Sequence, residues 1–89
     1  MSLTLYFDPI SSPSRAVLAL LKLSKIPYEE NFISVREKQT KSREYLKINL
    51  LGLVPVINDN GFILREHEAI LRYLVNTRPE AQENYPNDV

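Results

Sequence analysis

The signals along these 89 residues predict an α/β fold, a four-stranded mixed sheet flanked by helices in the order β-α-β-α-β-β-α. Three observations carry that reading. Leu3, Leu5 and Phe7 alternate with Thr4 and Tyr6, the period-2 pattern of a strand with one face turned inward. The run Ala16 to Leu21 is apolar on every side, as in a helix laid on a sheet and covered from behind. Asn60-Gly61 stands between Val56-Ile57 and Phe62-Ile63-Leu64, and an Asn-Gly pair between apolar runs is the strongest short-range hairpin signal.

The elements follow in order. Asp8-Pro9-Ile10-Ser11-Ser12-Pro13 stops the first strand and turns the chain. Ser12 before Pro13 reads as a helix N-cap with proline at the first helical position, so a helix should run from Pro13 to about Ser24. Only Arg15 and Lys22 break its apolar run, and the face turned away from the sheet needs cover. Lys25-Ile26-Pro27 ends it. Tyr28 to Val35 is the second strand, with Phe32, Ile33 and Val35 as its apolar content. A strand, a crossover helix and a second strand imply a right-handed unit with parallel strands. Residues 36 to 48 are polar and of mixed charge, with Tyr45, Leu46 and Ile48 allowing one short helical turn, and Asn49 to Leu53 is a loop. The hairpin strands should be antiparallel. A last helix runs from about Glu66 to Thr77, with Ala69, Ile70, Tyr73 and Leu74 toward the core and Leu71 and Val75 off that face. Pro79 terminates it. The polar stretch after it reads as a linker, giving one domain over 1–78 and a linker or tail over 79–89. This is the element order of a thioredoxin-like fold. The surplus apolar faces of its helices imply docking on another domain or subunit.

Bulk composition removes several function classes. Eleven basic and eleven acidic side chains cancel, which gives no global argument for nucleic acid or an anionic membrane. With no cysteine there is no disulfide framework, thiolate metal site or protein-thiol redox chemistry. Glutaredoxin-like exchange is excluded on the same ground: Ser11 and Ser14 stand in the turn where thiols would be required. The first residues lack a signal-peptide pattern, and the longest apolar run falls far short of a bilayer span. The default expectation is a cytoplasmic protein that engages neither membrane nor nucleic acid.

Chemistry should gather at one edge of such a sheet. Proline cannot donate to a ladder, so Pro55 belongs at the mouth of its strand, where backbone groups of Val54 can face a peptide-like ligand. The other reading is a plain strand-start proline; cis and trans Val54-Pro55 are both open. The Ser11-Ser12-Pro13-Ser14 turn and the Glu66-His67 helix start should converge there. Both are helix N-termini, whose unpaired amides favour carboxylates and thiolates. Ser11 reads equally as a turn residue and as a catalytic hydroxyl. Arg15 reads as a structural first-turn charge or a partner of Asp8 or Glu66. Glu66 and His67 can also be plain first-turn side chains, and a single histidine makes no metal site.

The chain resembles the N-terminal domain of glutathione transferases, most closely a theta-like class. The matching residues are Leu5-Tyr6-Phe7-Asp8, Ser11-x-Pro13-Ser14-Arg15-Ala16-Val17, Ile26-Pro27-Tyr28, Asn49, Val54-Pro55, Asp59-x-x-Phe62-x-Leu64, Glu66-x-x-Ala69-Ile70-x-x-Tyr73-Leu74 and Tyr85-Pro86. The resemblance implies that Ser11 donates to the glutathione sulfur and holds it as a thiolate. It implies that Val54, at the bend made by Pro55, pairs its backbone with the cysteinyl part, and that Glu66 meets the γ-glutamyl ammonium. The activity implied is conjugation to an electrophile or reduction of a peroxide. Glutathione is then the cosubstrate and no other cofactor is needed. The electrophile pocket belongs to a following helical domain, so the 89 residues alone are not expected to be fully active.

The chain also departs from the family pattern. His67 stands where the family has a small hydroxyl residue that caps the γ-glutamyl carboxylate; a larger donor, it is the residue expected to meet that carboxylate here. Leu50 replaces a frequent proline. Leu53 replaces a basic or polar residue that meets the glycyl carboxylate, and Thr40 stands where another basic contact occurs, with Lys41 the nearest charged substitute. These departures keep a second reading open: a non-catalytic interaction module that has lost glutathione and docks its apolar helices on a partner, a second copy included.

Overall fold

The computed structural model of the chain describes residues 2–84. β1 (Leu3–Phe7) lies inside the sheet, between β2 (Glu29–Phe32) and β3 (Val56–Asp59), and β4 (Phe62–Arg65) forms the far edge. β1 and β2 are parallel, joined through α1 (Ser12–Leu23); β3 runs antiparallel to both β1 and β4. A short helix α2 (Arg43–Leu46) precedes the bend into β3, and α3 (His67–Thr77) follows β4. The expected thioredoxin-like order is therefore present.

Local chemistry accounts for each piece. β1 buries Leu3, Leu5 and Phe7 while Thr4 and Tyr6 are half-buried, as its alternation requires. The hairpin turns at Asn60 (φ 54°) and Gly61 (φ 98°), two successive positive φ values that Asn-Gly tolerates. The Asn58 side-chain oxygen accepts from the Gly61 amide at 2.7 Å. The principal core holds Leu5 from β1, Val17 and Leu21 from α1, Ile57 from β3, and Ile70 and Leu74 from α3. Val56, one residue from Ile57, is buried outside that cluster, as is Tyr45 of α2.

Several expectations are corrected. The N-cap of α1 is Ser11, not Ser12: the Ser14 amide donates to its hydroxyl oxygen, and Ser12 is the first helical residue. β2 is shorter than Tyr28 to Val35, and all four of its residues are exposed at the edge of the sheet. Phe32 and Val35 remain 56% and 41% exposed and feed no core. Leu71 and Val75 are partly buried against the core rather than off it. Pro79–Asn84, placed in the linker, forms a 3-10 helix that seats a fully buried Ala81 in the core. That segment and α3 both pack on α1, while Ala16, Ala19 and Leu23 of α1 stay exposed. Exposed large apolar side chains remain at Leu23 at the end of α1, at Ile10, Phe32 and Val35, around Leu50, Leu51 and Leu53, and on β4. Tyr85-Pro86 and the rest of the expected tail lie outside the described residues. No described helix is long and apolar enough to cross a membrane.

Candidate functional site

Register brings the three expected segments to one end of the sheet. Tyr6, near the end of β1, lies opposite Val56 at the start of β3, and Val56 lies opposite Arg65 at the end of β4. The turn after β1, the bend before β3 and the β4–α3 junction are therefore neighbours. The hairpin turn lies at the other end.

The turn is built on Asp8, which is buried. Its carboxylate accepts from the Ile10 amide at 3.0 Å and from the Val35 amide at 2.8 Å, tying the turn to the segment after β2. The Asp8 carbonyl accepts from the Ser11 amide at 2.9 Å. Ser11 in turn takes the Ser14 amide on its hydroxyl oxygen at 3.3 Å, which leaves its hydroxyl proton available to donate. Arg15 pairs with neither Asp8 nor Glu66. Its guanidinium donates to the Pro9 carbonyl at 2.7 Å and the Ser12 hydroxyl at 2.9 Å, a structural role.

The bend is held from behind. The Leu53 carbonyl accepts from the Tyr45 hydroxyl at 2.6 Å and from the Asn49 side-chain amide at 3.0 Å. The Asn49 oxygen accepts from the Leu51 amide at 3.1 Å. Burial pushes the Tyr45 hydroxyl up to about 12, so it remains a donor at neutral pH. The Val54-Pro55 bond is cis and Pro55 is buried. The ladder begins only at Val56, and the Val54 amide and carbonyl bond to no described residue.

The junction is strained. Glu66 sits at φ 75° and ψ 109° with its carboxylate unused as a cap, a conformation costing about 1–3 kcal/mol for a residue with a Cβ. In a continuing strand, residues 65 and 67 would share a face and residue 66 would point the other way. Here all three line one cavity.

That cavity has a volume of about 170 Å³. Val54, Pro55, Glu66 and His67 line it together, as expected. Ser11 lies at the same end but outside the lining, where Pro13 takes a place. Lys41 is not brought there. Gly52 (φ 64°) turns the loop so that the Lys41 ammonium donates to the Gly52 carbonyl at 3.1 Å and the Leu51 carbonyl at 3.4 Å. The lysine instead flanks a separate shallow surface with Arg43, Lys47 and Leu50. Leu51, Asn49 and Arg65 complete the cavity wall and had no role assigned from the sequence. For Arg65 the only signal was its place beside Glu66.

The chain matches the family described as "Glutathione S-transferase, N-terminal domain" over residues 1–76. It is 42% identical over its whole length to glutathione S-transferase theta-2 of Homo sapiens and 42% identical to glutathione S-transferase T1 of Arabidopsis thaliana. It covers 36% and 37% of those proteins, so it spans about a third of their length. A crystal structure of human glutathione transferase theta-2, in complex with glutathione and an unknown ligand, superimposes with a TM-score of 0.91. That likeness is at 41% identity and covers 99% of this chain and 36% of that one. By fold, matched span and sequence, the chain belongs to the glutathione S-transferase N-terminal domain family.

Proposed function

We propose that the chain is the glutathione-binding domain of a theta-like transferase, presenting the thiol as a thiolate to an electrophile or a peroxide. The observation that carries the reading is the shared cavity wall: the unpaired Val54 backbone and the Glu66 carboxylate meet one space, next to the Ser11 turn. A peptide lying there can pair with Val54 as an added strand would. Its ammonium can meet Glu66. The Ser11 proton, with the partial positive charge at the start of α1, favours the thiolate; each unit of thiol pKa depression is about 1.4 kcal/mol. Glutathione is a cosubstrate in this scheme, with no other cofactor. A following helical domain supplies the electrophile site, in keeping with the greater length of the relatives. A cytoplasmic location belongs to the same proposal.

The test is a glutathione titration of isotope-labelled protein, read at the backbone amides. Saturable shifts at Ser11, Val54, Glu66 and His67 are expected. A folded protein without shifts at millimolar glutathione rules the reading out in favour of the interaction module, for which Leu53 in the cavity wall is the supporting observation. In the protein with its helical domain, Ser11→Ala should lower turnover on the order of a hundredfold, as for loss of a preorganised donor to a developing anion.

A further inference from the structure

Charge is unevenly spread over a chain whose eleven basic and eleven acidic side chains cancel. Lys41, Arg43 and Lys47 surround Leu46 and Leu50 on a shallow depression of about 550 Å³, and no carboxylate lines it. Arg43 and Lys47 stand four residues apart, on one face of α2 and its helical C-cap, with no hydrogen-bond or ion-pair partner among the described residues. Glu44, between them in sequence, instead lines a separate cleft with Tyr6 and Asn31 of the sheet. Leu50 is 83% exposed, the most of any large apolar side chain among the described residues, and Leu51 and Leu53 are each 55% exposed.

The loop that bears these leucines has its backbone occupied from within. The Leu51 amide donates to the Asn49 side-chain oxygen and the Gly52 amide to the Asn49 carbonyl. The Leu51 and Gly52 carbonyls accept from Lys41, and the Leu53 carbonyl accepts from Tyr45 and Asn49. Such a loop can leave water for an apolar medium without stranding those polar groups. Projecting leucines on a satisfied backbone, collared by cations, match a surface that is anionic outside and apolar within. A soft interface also takes in a projecting side chain without the preformed pocket that a folded protein partner would need. We infer that residues 41–53 dock on an anionic lipid bilayer, with Arg43 and Lys47 at the headgroups and Leu50 entering the acyl boundary. The balanced charge of the whole chain does not oppose this, because screening confines the attraction to about 8 Å and only the nearby charges are felt. The chain lies on the membrane and does not span it. Arg43, Lys47 and Leu50 are outside the cavity wall, so the inference stands apart from the glutathione-binding reading.

The test is cosedimentation of the native protein with vesicles of phosphatidylcholine alone and of phosphatidylcholine mixed with phosphatidylserine. Binding is expected to the mixed vesicles only, and it should weaken as added salt shortens the screening length. Each cation at the surface contributes about fivefold, so Arg43→Gln combined with Lys47→Gln should weaken binding about 25-fold. Leu50→Ser should weaken it about tenfold. All three side chains are exposed, so the substitutions leave the core intact. The 89 residues contain no tryptophan, which makes Leu50→Trp a single reporter, and its emission should shift to the blue on the mixed vesicles. The inference is overturned if the folded native protein binds neither kind of vesicle or binds both equally. Binding left unchanged by the paired charge substitution or by Leu50→Ser also overturns it, as does an unshifted Leu50→Trp emission in protein that cosediments. Binding to soluble polyglutamate but not to the vesicles overturns it in favour of an acidic protein partner.

Discussion

A carbon added at Gly52 would sit 2.8 Å from the Thr40 carbonyl oxygen and 2.9 Å from the Lys41 nitrogen, on a residue whose φ is already 64°. Lysine can swing away, but the backbone oxygen cannot. Gly52→Ala should therefore cost about 1–3 kcal/mol, read as a lower urea midpoint, through clash and positive φ together. It should also loosen the Leu53 carbonyl that Tyr45 and Asn49 hold, and with it the wall of the cavity. At this scale the sequence was informative where one residue type has one use. Pro55, Asn60 and Gly61 took the places their chemistry demands. Ser11 and Ser12 were interchangeable on paper, since either can cap; only the reach of the Ser14 amide separates them. The loop contacts of Lys41 were not legible, because nothing local reveals that two carbonyls will turn toward it. Arg65 was overlooked because strand alternation gives no warning of a twisted Glu66.

Among the elements, α2 depends most on a single side chain. Four residues make a helix too short to persist alone. Ser42 caps it through the Tyr45 amide at 3.1 Å, and the Tyr45 ring is buried edge-on to Tyr6 with centroids 6.0 Å apart. The Tyr45 hydroxyl has a folded value of about 12 against an ordinary 10.0. Because the folded value is the higher, its contribution is complete below pH 10 and is lost as pH rises toward about 12. The slope is about 1.4 kcal/mol per pH unit. Denaturant midpoints measured across that window should fall, and Tyr45→Phe should flatten the fall while costing about 1 kcal/mol at neutral pH. Strong periodicity made β1, α1, the hairpin and α3 legible. β2 was overextended because the Asp8 carboxylate captures the Val35 amide, a contact spanning 27 residues that no local pattern carries.

For the molecule as a whole, one ionic cluster ties the hairpin to the last helix. Arg78 donates to both oxygens of Asp59, at 2.7 and 3.0 Å, and the Tyr73 hydroxyl donates to the same carboxylate at 2.5 Å. Arg78 holds the Asp59 carboxyl below its ordinary value of 3.8. A depressed carboxyl contributes stability that is present above 3.8 and lost as acid carries the pH down through the folded value. Arg78→Met should cost about 2 kcal/mol near neutrality by removing two charge-assisted hydrogen bonds from the half-buried Asp59, and native and variant stabilities should converge below that range. Arg78 also introduces the 3-10 helix whose Ala81 completes the core. The packing of Ala81 was not legible, because one small apolar residue in a polar stretch gives almost no periodic signal. Register adds a last consequence. Ser2 and Asn60 bond to each other twice, at 3.0 and 3.1 Å, so the start of the chain is fastened to the hairpin tip. The cavity lies at the opposite end of four- and five-residue strands, roughly 13 Å or more away at 3.3 Å per residue. A fluorophore or a surface tether placed on that fastened corner would leave the mouth of the cavity facing open solution.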